Sequence, residues 1–207
     1  MGSLFVTIFE TMIPEKIAAS ISPSTLVKTN EKFNFTIHHL TFDHSKIQLL
    51  ITNGLREREQ AVNVENKDLK RIELYFCLPD YFDLHHKSWP IDWLNRIAEL
   101  PQKNNTWFGH GDTIPAGNPP TILDEKFHAN HFILSRPIQL SQFIPMNETG
   151  LDECKLLAVI PLFQKELDFK MRNSHTILFK KLEKKGVSEL VDTYRENSCR
   201  KRFLGLF

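Results

Sequence analysis

The chain has 207 residues, with 26 Lys and Arg against 25 Asp and Glu, for a formal net charge of +1. No global basic excess points to nucleic acid or an anionic membrane, so only a local patch could serve such a partner. Hydrophobic residues make up 41%, including 16 Phe and three Trp, and charged residues 25%, which excludes wholesale disorder and allows a substantial core.

The opening Met1 to Phe9 lacks a basic n-region and runs straight into Glu10, a poor signal peptide. No apolar run approaches the ~20 residues needed to cross a bilayer. Cys77, Cys154 and Cys199 are odd in number and far apart, as expected of reduced thiols. A cytoplasmic protein is expected, and the sequons at Asn34, Asn104 and Asn147 then carry little weight.

In chain order, Thr11 to Ser20 reads as a short helix with Pro14 in its first turn, broken by Ser22-Pro23-Ser24. Phe33 to His38 alternates apolar and polar residues, the period of a strand with one wet face. Lys46 to Thr52 is a more aliphatic strand closed by Asn53-Gly54, and Leu69 to Leu78 a third that stops at Pro79-Asp80. The charged stretch Arg56 to Lys67 between them is loop. Trp89 to Pro101 predicts an amphipathic helix, with Pro90 at its start, Trp93, Leu94, Ile97 and Leu100 on one stripe, and Pro101 as its terminator. Gln102 to Leu123 is a long loop with glycines at 109, 111 and 117, of the kind that often carries function.

Strands are expected at Phe127 to Leu134 and Leu156 to Leu162, separated by a loop with an edge segment from Arg136 to Asp152. Helices follow at Gln164 to Arg172 and at Ser174 to Lys185, the latter capped by Ser174 and ended by Gly186. A last short helix is expected at Val187 to Glu196, then a solvated basic tail, Arg200-Lys201-Arg202. Strands and helices intersperse without a regular βαβ alternation, and no linker divides the chain. The fold class is therefore a mixed α/β (α+β) single domain over residues 1–207, with helices flanking one sheet.

The common catalytic signatures are absent: no GxxxxGK[ST], GxGxxG, HExxH or GxSxG occurs. Adjacent His38 and His39 on a strand point to opposite faces and cannot share an ion without a bulge, and His128 and His131 are likewise out of phase. Gly109-His110-Gly111-Asp112 places a His and an Asp two apart in a glycine-rich loop. That pair could work as acid and base or ligate a cation, although neither a third ligand nor a nucleophile stands at a matching spacing.

Several segments, in order, resemble the suppressor-of-fused family. Trp89-Pro90-Ile91-Asp92-Trp93-Leu94 is similar to its W-P-[IL]-x-W-L helix. Asn105-Thr106-Trp107-Phe108-Gly109 and Asp112-Thr113-Ile114-Pro115 are similar to its N-T-W-[LF]-G stretch and H-T-I-P turn. Ile160-Pro161-Leu162-Phe163 through Glu166-Leu167-Asp168-Phe169 resembles its I-P-L-[YF]-x-x-E-L-x-F block. Thr52-Asn53-Gly54-Leu55 and Glu73-Leu74 through Leu78-Pro79 match two further elements, so the resemblance runs from about Ile37 to about Leu182. One departure stands out: Asp112 replaces the family's histidine before Thr-Ile-Pro, and a histidine lies instead at His110.

The resemblance implies a mixed, mostly antiparallel sheet flanked by helices and no established enzymatic activity, and no cofactor is expected. Animal relatives sequester a transcription factor in the cytoplasm. Bacterial single-domain relatives, which this chain matches in length, include immunity proteins that neutralise toxin domains encoded nearby, so a protein partner of that kind is implied. Trp89, Trp107, His110, Asp112, Thr113 and Glu166 are the candidate partner-binding residues, with no catalytic residue or metal ligand assigned. Trp107 would anchor a partner or pin the loop to the sheet, and Glu166 with Asp168 would form either a solvated helix face or an acidic patch that meets a basic toxin surface. The alternative is a small-molecule hydrolase or lyase, or a metal-binding protein, centred on His110 and Asp112.

Overall fold

The computed structural model describes residues 25–27, 33–42, 45–143 and 154–200. The expected helix over Thr11 to Ser20, the sequon at Asn147 and most of the basic tail lie outside these residues. The rest builds one seven-stranded sheet: β1 (Thr25–Val27), β2 (Asn34–Phe42), β3 (Ser45–Asn53), β4 (Ile72–Pro79), β5 (Thr113–Pro115), β6 (His131–Ser135) and β7 (Lys155–Leu162). The order across the sheet is β1-β2-β3-β4-β7-β6-β5. Every pairing is antiparallel except β4 with β7, where Ile72 lies opposite Lys155 and Tyr75 opposite Ala158. A parallel pair needs a long crossover. Here it contains a helix, the glycine loop, β5 and β6.

β4 is buried along its whole length and β7 at every residue after Lys155, as central strands covered on both faces must be. The two-residue period sorts their side chains cleanly. Ile72, Leu74, Phe76 and Leu78 join Leu157, Val159, Phe132 and Phe35 on one face. Tyr75 and Cys77 join Leu156, Ala158, Ile160, Leu49 and Ile133 on the other. The first face is covered by α1 (Trp89–Lys103), which presents Trp89, Leu94, Ile97 and Ala98. The second is covered by α3 (Gln164–Arg172) and α4 (His175–Glu183), which bring Leu167, Phe169, Leu178 and Leu182. Ser174 caps α4 as expected, accepting from the Ile177 N–H at 3.2 Å. The expected His38 and His39 geometry also holds, with His38 buried and His39 exposed.

Several expected elements differ, among them the long loop Gln102 to Leu123, which contains β5. α1 passes Pro101 and ends at Lys103, because a proline so near the C-terminus forfeits one helical bond while Asn104 N–H still reaches Leu100 O at 3.0 Å. The charged stretch after β3 is not plain loop but holds two 3₁₀ helices, Leu55–Glu57 and Val64–Leu69, the second capped by Asn63. The strand expected from Phe127 begins only at His131. Phe127 instead enters the core from a turn closed by its own N–H on Asp124 O at 3.0 Å. The loop expected after Arg136 contains α2, a single turn at Leu140–Phe143. Val187 to Glu196 is not helical; Leu190 bridges to Cys77 and Val191 N–H donates to Cys77 O at 2.8 Å. The buried Glu189 carboxylate holds that stretch down, as its partners below show.

Candidate functional site

The glycine loop is fastened from three sides. Gln60 is buried and clamps Phe108 through both backbone groups, its Oε1 accepting from Phe108 N–H at 2.9 Å and its Nε2 donating to Phe108 O at 3.3 Å. A Cβ at Gly109 would sit 3.0 Å from both Leu69 Cδ1 and Trp107 Cζ3, so the half-buried Trp107 ring pins the loop from its side. Gly111 has φ 92° and a Cβ there would come within 2.5 Å of His175 Cγ, leaving glycine as the residue that fits. Its N–H donates to Leu134 O at 2.8 Å, while Leu134 N–H donates to Asp112 O at 2.9 Å.

His110 and Asp112 are each spent on backbone amides. Asp112 Oδ2 accepts from Gly109 N–H at 2.8 Å and closes the loop on itself. His110 Nδ1 accepts from Arg136 N–H at 3.1 Å, which fixes the neutral ring's proton on Nε2. The half-buried ring stacks on Phe179, with centroids 4.7 Å apart at 12°, and meets His175 edge-on at 5.4 Å. Burial lowers the His110 pKa below its ordinary 6.5, and neighbouring His175 and Arg136 push the same way against a smaller opposing pull from Asp112. Among the described residues no group of three or more His, Cys, Asp or Glu is placed to hold a metal ion.

Beside His110 a groove of about 550 Å³ opens between α4 and residues 135–139. Ile160, Leu182, Phe179 and Val187 line its apolar part, and Arg136, Lys180 and Glu183 its polar part. The lip at 136–140 is held by side chains at alternate residues. Arg136 N–H goes to His110, and Ile138 and Leu140 N–H go to the two oxygens of Glu189 at 2.7 and 2.8 Å. Glu189 also accepts from the Tyr75 hydroxyl at 3.1 Å, in the middle of the sheet. Sequence reasoning missed Glu189. The signal was Tyr75, whose phenol in an otherwise apolar central strand required a polar partner.

Two of the six candidate partner-binding residues, Trp89 and Glu166, are buried rather than surface groups. Trp89 is 8% exposed and packs edge-on against Phe76 and Phe82 at 5.5 and 6.0 Å, a core anchor for α1. Glu166 is 0% exposed, so it forms no acidic patch with Asp168. Its carboxylate takes both guanidinium nitrogens of Arg195 at 2.7 and 2.8 Å, Phe163 N–H at 3.0 Å and Ser198 N–H at 2.7 Å. A desolvated carboxylate needs that many partners. Arg195 in turn donates to Pro161 O at 2.8 Å and lies over the Phe163 ring, tying residues 195–198 to the β7–α3 junction. Thr113, on edge strand β5, accepts from Lys170 Nζ at 3.2 Å. Trp107, His110 and Asp112 thus share one loop that leads into Thr113 on β5, and of these four His110 lines the groove.

A family model described as Suppressor of fused protein (SUFU) matches residues 35–196. No curated protein and no solved structure matches the chain. No helix among the described residues is long and apolar enough to cross a membrane.

Proposed function

The chain belongs to the suppressor-of-fused family, and from that premise we propose that it is a protein-binding module that works by holding its partner rather than by catalysis. The observation that carries this reading is the state of the glycine loop. His110 and Asp112 hold backbone amides instead of each other, an arrangement that suits a shaped binding surface better than an acid–base pair. The replacement of the family histidine by Asp112 is tolerable in such a role, because the carboxylate closes the turn. Within the family the reading is of the bacterial immunity type: a cytoplasmic protein that sequesters a toxin domain encoded nearby. Cys77, Cys154 and Cys199 as free thiols are in keeping with a reducing compartment.

Coexpression with the product of each neighbouring gene tests this reading. The expected result is a stoichiometric complex that survives gel filtration and restores growth to cells making a toxic neighbour. The contrary result is no complex and no rescue, together with turnover of a small molecule that disappears in the His110→Ala and Asp112→Ala variants.

A further inference from the structure

The groove beside His110 has the volume of a ligand or peptide cleft, within the range of about 300–1,000 Å³ that such sites occupy. Its interior is aliphatic and aromatic, and Ile138 on the lip is 44% exposed. The charge around it is uneven. Of the charged residues that line it, Arg136 on the lip and Lys180 on α4 are cations and Glu183 is the one anion, while Lys181 of the same helix lies over the Phe169 ring. The rim therefore carries two cations against one anion beside an apolar slot. The slot is also preformed. Three lip amides at alternate positions are already satisfied by His110 and Glu189, so a ligand need not organise them, and the ordering cost of binding falls.

We infer that this groove is the docking site for an acidic segment of a protein partner, which inserts an aromatic or long aliphatic side chain between Ile138 and Val187 and lays flanking carboxylates against Arg136 and Lys180. The apolar anchor would supply most of the affinity, and the cationic rim would steer the encounter and set the sign of the partner. The rim contacts are exposed and therefore screened by salt, whereas the anchor is not. The inference rests on the protein-binding reading above and specifies the surface and the partner's chemistry.

A library of random twelve-residue peptides, panned on the full chain and counter-selected on the Arg136→Glu/Lys180→Glu double variant, tests it. The expected winners are net acidic with a central apolar residue. They bind the double variant at least about tenfold more weakly, which is the effect of a 1.4 kcal/mol loss. They weaken between 50 and 300 mM salt. Ile138→Glu, which leaves the rim cations in place, lowers binding to a similar extent and covers the case in which the double variant fails to fold. Winners that are neutral or basic, or that bind both variants as tightly as the wild type, overturn the groove assignment while leaving a protein-binding module intact. A chain that enriches no peptide and forms no complex with any neighbouring gene product overturns both.

Discussion

The two faces of the sheet are built on different principles. The α1 face is mostly apolar, with Phe76, Trp89, Phe127 and Phe132 linked by edge-on or tilted contacts, α1 lying over it, and neutral Gln48, Thr52 and Asn95 among its buried polar groups. The opposite face and the elements that cover it bury three carboxylates, Glu73, Glu166 and Glu189, and each one gathers backbone amides from another part of the chain. Apolar contact is strong but weakly directional, whereas a buried carboxylate is costly unless its partners are placed correctly. The first face therefore supplies stability. The second fixes where the turn at Gly54–Arg56, the groove lip and residues 195–198 sit.

Substitutions can break this contrast from either side. The largest effects belong to the apolar anchor and the buried ion pair. Trp89→Ala is expected to cost about 3–5 kcal/mol in urea unfolding, with peptide affinity per folded molecule unchanged. Glu166→Ala is expected to cost about 3–5 kcal/mol as well, because it strands the Arg195 guanidinium. Adding Arg195→Met should return part of that loss, and Trp89→Ala should show no such rescue. If the Glu166→Ala and Arg195→Met costs simply add, the ion pair is not what secures the C-terminal segment.

Glu73 sharpens the comparison through pH. Burial raises its pKa from 4.5 to about 7, against the opposing pull of its bonds with the Thr52 hydroxyl and the Gly54 and Arg56 amides. A raised carboxyl pKa means the folded state holds its proton longer. The associated stability is full below pH 4.5 and is lost as pH rises through about 7, a change of about 3 kcal/mol. Glu73→Gln should flatten that limb of the stability curve, and an unchanged limb would assign the pH dependence elsewhere.

Smaller effects are expected at the lip. Glu189→Gln offers one acceptor where two amides and a phenol need them. It should cost about 1–3 kcal/mol and speed hydrogen exchange at Ile138 and Leu140 more than anywhere on α1. His110→Phe keeps the ring stack on Phe179 and removes the acceptor for Arg136 N–H, for about 1 kcal/mol. Because the His110 pKa is lowered in the folded state, its protonation penalty erodes stability as pH falls below about 6.5. The variant should lose less stability than the wild type over that range. His131, whose pKa burial also lowers, retains its own share.

Much of the apolar face was legible in the sequence. The strand period in Ile72, Leu74 and Phe76, the helix stripe in Leu94 and Ile97, and Pro90 at a helix start are local patterns that place residues directly. The polar face was not, because its logic is nonlocal. Glu166 lies at the start of a helix where a solvated acid is common, and its partner Arg195 is 29 residues away. Val187 to Glu196 has a mixed pattern that a helix could accept, and only contact with Cys77 and Tyr75 decides against one. The groove draws on residues from 110 to 188, so no single motif announces it. The family motifs located the glycine loop correctly but gave no sign that Trp89 faces inward, since a tryptophan at a helix entry can serve core or surface.

On the docking proposal, the partner sits on the carboxylate-anchored face, at the groove lip and α4. Hydrogen exchange of the chain alone and in a purified complex with its partner tests this most directly. The account predicts new protection confined to residues 136–140 and 176–188, with α1 unchanged. Protection centred on α1 or on exposed Tyr81 and Tyr194, with the lip exchanging as in the free chain, would contradict it.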